Sequence, residues 1–359
     1  MTTSSDSRIP VTLLTGFLGS GKTTILNHLV RQPELADALV IINEFGAMPL
    51  DHLLVAHSTE TPVVELSSGC LCCTIRTDLV QTLRDITWRF SRKGQRQFQR
   101  VIIETTGLAE PAPIVHTLLT HPQLAARYRL DGIVVTLDLA AGHATLDQHP
   151  ESVHQTAMAD CLLLTKGDLA DARTRRTLLS RLDAINPAAP RHEVRHGAVP
   201  AGVVLNLGLF SADGKTPDVV RWLHEAAYAD AARDSDAHDH AHAEGHPHDH
   251  PHDASHHHDS IQAFCFALDT PIPATALTAW LDALRSLAGA DVLRIKGILN
   301  IEGQDTPLVI HSVQHIFHPP VTLPAWPDAD RRSRLVCITR DIGRDVLETA
   351  LRGVLRTAR

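Results

Sequence analysis

The chain has 359 residues, 43% hydrophobic and 21% charged, the composition of a water-soluble globular protein long enough for two domains. No apolar run approaches the ~20 residues of a membrane span, and the opening "MTTSSDSRIP" lacks the basic-then-apolar layout of a leader, so a cytoplasmic protein without membrane attachment is expected. The formal net charge is −8, but residues 229–259 hold seven Asp, one Glu and one Arg; with no basic stripe elsewhere, nucleic acid is not an expected partner.

Residues 1–8 read as a disordered N-terminus. From 9 to 228, apolar runs at 10–15, 39–43, 63–66, 100–104, 132–137 and 161–164 read as strands, and amphipathic stretches such as 22–31, 74–90 and 171–184 as helices. Strands this apolar, separated by helices, predict an α/β domain whose parallel sheet is covered by helices on both faces. Residues 229–259 include ten of the chain's 24 histidines among acids, Ala and Pro, with no spacing that could build a buried face, so a disordered linker is expected. From 260 to 359, strands at 261–268, 290–302, 306–312 and 334–340 with helices at 274–287 and 344–356 predict a smaller α+β domain.

The stretch "GFLGSGKTT" follows the first strand and opens the first helix, the context a phosphate-binding P-loop requires. Gly16, Gly19, Ser20 and Gly21 let backbone N–H groups wrap phosphates at a helix N-terminus. Lys22 is placed to neutralise the β- and γ-phosphates, Thr23 to bind Mg²⁺, and Thr24 follows directly. In "VIIETTG", Glu104 closes a buried strand as an acid on the Mg²⁺ side, and the Gly107 N–H can sense a γ-phosphate. In "LLLTKGDL", Asp168 can accept both N–H groups of guanine while Lys166 lies along the base. Thr165 stands where Asn is usual in this pattern, and the context favours GTP over ATP.

Ligands of open parallel sheets bind beyond the carboxyl ends of the strands. The P-loop, "NEFG" (43–46), "CLCC" (70–73), "ETTG" and "TKGD" each follow a predicted strand and should share one rim. Cys70, Cys72 and Cys73 there can converge on one thiophilic ion such as Zn²⁺ or Cu(I). A fourth ligand, Glu44 or a histidine, would complete the set, or an exchangeable position stays open; redox chemistry is the competing use of these thiols. In the linker, His238, His240, His242, His246, His248, His250, His252, His256, His257 and His258 will bind Zn²⁺, Ni²⁺, Co²⁺ or Cu²⁺ weakly, which suits capture beside such a site. His311, His315 and His318 read as ordinary surface positions, and Cys161, Cys265 and Cys337 as core.

"TGFLGSGKTT", "NEFG", "GCLCC", "ETTGLAEP", "TKGD", the His-rich connector, "LRIKGIL" and "SRLVCITR" together resemble the CobW-type GTPases, metal-delivery relatives of the nickel-inserting GTPases. The resemblance spans roughly 8–357 and implies GTP hydrolysis coupled to delivery of a divalent metal, zinc or cobalt, to a client metalloprotein. It implies phosphate and Mg²⁺ roles for Lys22, Thr23 and Thr24, a Mg²⁺-side role for Glu104, a guanine role for Asp168 and a metal role for the three cysteines. Ala47 stands after "NEFG" where many relatives have Glu, so a role for that acid is lost or moved. Ordering of the loops around Glu44 and Gly107 by GTP–Mg²⁺ would give a two-state switch. Slow intrinsic turnover is expected, because no water-positioning Gln or arginine finger stands out. Two other functions compete: a P-loop small-molecule kinase with the Arg-rich 89–100 as its lid, and a non-enzymatic metal store built on the histidine tract.

Overall fold

The computed structural model describes residues 7–42, 63–65, 73–207, 261–289 and 291–357. Glu44 with the rest of "NEFG", Cys70, Cys72 and the ten linker histidines lie outside the described residues. The chain divides into two compact units.

In the first unit the elements run β1 (Ile9–Gly16), α1 (Lys22–Leu29), β2 (Ala38–Ile42), β3 (Val63–Glu65), α2 (Cys73–Arg89), β4 (Ser91–Arg92), β5 (Gln95–Arg96) and β6 (Arg100–Glu104). They continue with α3 (Pro111–Thr120), α4 (Pro122–Ala125), β7 (Tyr128–Asp138), α5 (Gly142–Gln148), α6 (Pro150–Met158), β8 (Cys161–Thr165), α7 (Ala172–Ile185), β9 (Arg191–Glu193) and α8 (Ala201–Val204). The sheet order is β3-β2-β6-β1-β7-β8-β9, and every neighbouring pair is parallel. This is the α/β architecture the alternating pattern predicts.

Strands β2 and β8 are buried at every position, as strands covered on both faces must be. Ile25, Leu26 and Leu29 of α1 pack with Leu14, Val40 and Leu163 in one apolar cluster. Each fully buried side chain of this kind contributes roughly 1.5–3 kcal/mol relative to exposure. That packing fixes the start of α1 against the end of β1.

Three parts of this unit depart from the predicted elements. Strand β7 begins at Tyr128 rather than 132, because Ile9–Val11 of β1 pair with Tyr128–Leu130. The Tyr128 hydroxyl donates to Leu83 O at 2.6 Å, and burial pushes its pKa up. Helices α3, α5 and α6 are absent from the predicted elements: in α6 every residue from Ser152 to Met158 is buried although Ser152, His154, Gln155 and Thr156 are polar, so its sequence shows no apolar face to reveal a helical period. The basic segment 89–100 forms the β4–β5 hairpin, turning through Lys93 (φ 52°) and Gly94 (φ 77°). It leads into the start of β6, whereas Glu104 ends that strand. These arginines therefore lie at the rim opposite the P-loop and are not a phosphate lid.

The second unit contains β10 (Ile261–Leu268), α9 (Leu277–Leu287), β11 (Val292–Leu299), β12 (Leu308–Val313), β13 (Ile316–Phe317), β14 (Val321–Thr322), β15 (Ser333–Arg340) and α10 (Arg344–Thr357). Its antiparallel sheet has the order β10-β15-β11-β12-β13, with β14 also paired to β12. Trp280 and Leu284 of α9 and Leu347 and Leu351 of α10 bury against Phe266, Ile295 and Cys337. Cys161 and Cys337 are core residues as expected, but Cys265 is partly exposed.

His311 and His318 correct the surface reading, since both are buried and only His315 is exposed. Their rings stack 4.6 Å apart, and Arg294 Nη2 donates to His311 Nε2 at 3.1 Å. Burial, then the neighbouring Arg294, His318 and Lys296, hold the His311 pKa well below its usual value. No helix among the described residues is long and apolar enough to cross a membrane.

Candidate nucleotide site

The site forms where β1, β6 and β8 end. Gly16 closes β1 at φ 138°, and a Cβ there would lie 2.2 Å from Thr136 Oγ1, so the turn admits glycine alone. Ser20 Oγ and Thr136 Oγ1 share a 2.5 Å hydrogen bond that ties the loop to β7. Gly21 precedes α1 without a capping side chain, which leaves first-turn N–H groups for an anion. Lys22 is buried, and its Nζ donates to Gly16 O at 2.9 Å and Phe17 O at 3.1 Å, so the ammonium lies over the loop.

Strand β6 lies beside β1 with Glu104 paired to Leu14. Thr23 Oγ1 donates to Glu104 Oε1 at 2.8 Å, which joins a hydroxyl and a carboxylate from two elements. Such an oxygen-only set suits a hard cation such as Mg²⁺. A cavity of about 260 Å³ opens here, lined by Leu18, Lys22, Thr23, Glu104, Thr106 and Gly107 among others. Thr105 N donates to Leu14 O at 3.0 Å, and Thr105 Oγ1 to Thr15 Oγ1 at 2.7 Å, so the chain leaving β6 is stitched to β1. At Gly107 a Cβ would stand 2.5 Å from Leu18 N, and this close approach brings the "ETTG" loop onto the P-loop.

On the other side, Thr165 ends β8 and its hydroxyl donates to Ser20 O at 2.8 Å, with Leu137 O at 3.2 Å. The residue in the Asn position thus fastens the "TKGD" loop to the P-loop with a side chain shorter than Asn. Lys166 adopts φ 55° and donates from Nζ to Asp138 Oδ2 at 2.6 Å. Asp138 Oδ1 in turn accepts the N–H groups of Ala140 and Ala141. Asp168 is exposed. Asp171 accepts the Thr174 N–H at 2.7 Å, which holds its carboxyl below the usual range and secures the start of α7.

The structure thus brings together Gly16, Gly19, Ser20, Gly21, Lys22, Thr23, Thr24, Glu104 and Gly107, with Thr165, Lys166 and Asp168 alongside. Of the cysteine motif it places Cys73, the first residue of α2. Among the described residues no group of three His, Cys, Asp or Glu side chains could hold a metal ion. Sequence reasoning missed Asp138, although an acid closing the apolar run 132–137 repeats the signal that revealed Glu104. It also missed Gln155 of α6, which has no motif around it.

A glycine turn opening a helix, a hydroxyl–carboxylate pair beside it and a base-side loop locked to that turn define a P-loop nucleotide-binding protein. Residues 10–193 match the model of the CobW/HypB/UreG nucleotide-binding domain, and 261–355 that of the cobalamin synthesis protein CobW C-terminal domain. The chain belongs to the CobW/HypB/UreG family. It is 30% identical to the zinc chaperone YjiA of Escherichia coli over 96% of this chain and 98% of that one. It is 31% identical to the zinc chaperone CobW of Pseudomonas aeruginosa, over 98% and 92%. The crystal structure of Zn(II)-bound YjiA GTPase superposes with a TM-score of 0.65 at 27% identity, over 97% of this chain and 99% of that one.

Proposed function

We propose that this protein is a GTP-hydrolysing zinc chaperone, which binds zinc at Cys70, Cys72 and Cys73 beside the nucleotide and hands it to a client metalloprotein in the cytoplasm. The observation that carries the reading is one row of strand ends. Glu65, Ile42 and Glu104 are successive register partners across β3, β2 and β6. Strands lie ~4.8 Å apart, so the backbone at the end of β3 is about 10 Å from that at the end of β6, the strand that Glu104 closes. Cys73 then opens α2. These strand ends support a cargo grip on the same rim as the γ-phosphate end.

Within this reading the P-loop N–H groups and Lys22 hold the phosphates, and Lys22 turns from Gly16 O and Phe17 O to do so. Bound Mg²⁺ would screen the β- and γ-phosphate charge; Thr23 would ligate it, and Glu104 would hold its water shell. The Gly107 N–H faces the terminal phosphate, and Asp168, with Lys166 braced by Asp138, reads guanine. Glu44 is the candidate fourth zinc ligand, and the tract from His238 to His258 gathers metal at low supply. Hydrolysis removes the group that Gly107 contacts, so the rim has different geometry with GTP and GDP. Zinc affinity follows only to the extent that the two states hold it differently. We place the domain boundaries near 228 and 260, with Zn²⁺ as cargo and Co²⁺ or Ni²⁺ as competing metals. The named relatives are zinc chaperones. A triple variant of YjiA in which one glutamate and two cysteines are replaced by alanine is also Zn(II)-bound.

The test is a Zn²⁺ titration against a competing chelator with GTP–Mg²⁺, with GDP and without nucleotide. It compares the wild type with the combined Cys70→Ser, Cys72→Ser and Cys73→Ser variant. A tight site that depends on nucleotide and vanishes in the variant supports the carrier. Affinity indifferent to both changes overturns it and leaves metal on the histidine tract.

A further inference from the structure

Helix α6 touches both halves of the phosphate end. His149, at its N-cap, stacks its ring on that of Phe17 in the P-loop, with centroids 4.3 Å apart. Two turns on, Gln155 is fully buried, and its Nε2 donates to Ala109 O at 2.9 Å and to Gly107 O at 3.2 Å. Next to it His154 Nδ1 lies 2.8 Å from Glu110 Oε1. Both of these contacts fall on the segment that leaves β6 through Glu104 and Gly107.

The amide of Gln155 is costly to keep. Its Oε1 is buried and makes no hydrogen bond with the described residues. An orphaned polar atom of this kind destabilises a fold by about 1–3 kcal/mol, and Leu or Met would fill the same space without it. What the amide supplies is its two N–H donors, and both are spent on the "ETTG" loop. Gly107 itself is pressed against Leu18, where a Cβ would come within 2.5 Å of the backbone N. The loop is thus held from both sides, by the P-loop in front and by Gln155 behind.

We infer that Gln155 is a positioning residue for the γ-phosphate sensor: by anchoring the carbonyls of Gly107 and Ala109 to α6, it holds the Gly107 N–H where a triphosphate, and not a diphosphate, is recognised. The inference rests on the reading of Gly107 given above. Pre-organisation is the physical reason. A loop held in its binding geometry loses less freedom when ligand arrives, and the saving appears as affinity for the ligand that touches the loop. GDP has no group at Gly107, so Gln155 governs the ratio of the two affinities and leaves diphosphate binding alone.

The experiment measures the affinity of the full chain for a fluorescent non-hydrolysable GTP analogue with Mg²⁺ and for fluorescent GDP. The variants are Gln155→Leu and Gln155→Met, with Lys22→Ala as the P-loop control. Loss of the two amide bonds should weaken analogue binding by about 5- to 50-fold with GDP within about twofold, and should raise the KM for GTP. An unchanged affinity ratio in both variants, or equal loss of both ligands, overturns the inference and makes Gln155 a packing residue. If Lys22→Ala leaves both affinities intact, the P-loop reading itself has failed, a result distinct from failure at Gln155.

Discussion

Thr165→Val tests how the base-side loop is locked to the phosphate loop. The Thr165 side chain is buried, and its hydroxyl donates to Ser20 O at 2.8 Å with Leu137 O at 3.2 Å. Valine keeps the β-branched shape but sets a methyl in place of the hydroxyl. A carbon approaches a carbonyl oxygen no closer than about 3.3 Å, so the loops must separate by roughly half an ångström. The lost bond is worth about 1 kcal/mol net, and a stranded buried carbonyl adds up to about 1–3 kcal/mol before relaxation. Taking ~1–3 kcal/mol overall, and assigning it to the coupling between base and phosphate recognition, GDP affinity should fall about 5- to 150-fold. Thr165→Asn restores a donor and should bind GDP nearly as the wild type does. Fluorescent GDP titration reads the affinity, and the shift of the melting temperature with added GDP reads it independently. A folded Thr165→Val protein that binds GDP within twofold of the wild type would refute the reasoning, as would an Asn variant as weak as the Val variant.

Asp168→Asn exchanges a carboxylate acceptor for an amide and should weaken GDP by about 10- to 100-fold, judged from the ~1–3 kcal/mol carried by a paired base contact; competition with ATP should reveal the lost guanine preference. Gly107→Ala forces a methyl within 2.5 Å of Leu18 N and 2.7 Å of Leu18 Cα, backbone atoms that cannot step aside. GTP hydrolysis should fall by at least about tenfold with GDP affinity little altered, if Gly107 meets the γ-phosphate as proposed, a group only the triphosphate has. Glu104→Gln should raise the Mg²⁺ concentration needed for half-maximal hydrolysis while EDTA-treated protein still binds GDP; an unaltered Mg²⁺ requirement would remove Glu104 from the cation site.

His311 gives a pH prediction. Burial first, then Arg294, His318 and Lys296, hold its folded pKa well below the unfolded value of 6.5. The unfolded chain therefore takes up this proton before the folded one. Its contribution to stability is complete above pH 6.5 and is lost as pH falls toward the folded pKa, by at most ~1.4 kcal/mol per pH unit. Melting curves between pH 8 and pH 5 should show the loss, and His311→Gln should flatten it.

How much of this was legible in the sequence depended on whether the chemistry was local. The turn around Gly16, the hydroxyl of Thr23 and the acid of Glu104 sit in short patterns whose spacing is itself the mechanism. The parallel sheet was equally legible, because strands such as 161–164 are apolar on both faces only when both faces are covered. Helix α6 was not, because its buried positions include Ser152, His154, Gln155 and Thr156, and polar residues there erase the apolar face that reveals a helical period.

The sequence by itself determined which residues form the glycine turn that opens α1 and which strands lead into the candidate site, since each of those features is made by neighbours along the chain. Tertiary structure decided the couplings between them. Thr165 reaches Ser20 across 145 residues, Glu104 reaches Thr23 across 81, and Gln155 reaches Gly107 across 48. It also decided that His311 and His318 are buried, His311 against Arg294 and His318 stacked on His311. Such partners are chosen by the order β6-β1-β7-β8 and the register within each sheet, and a hydrogen bond between distant residues leaves no periodicity in the chain to announce it.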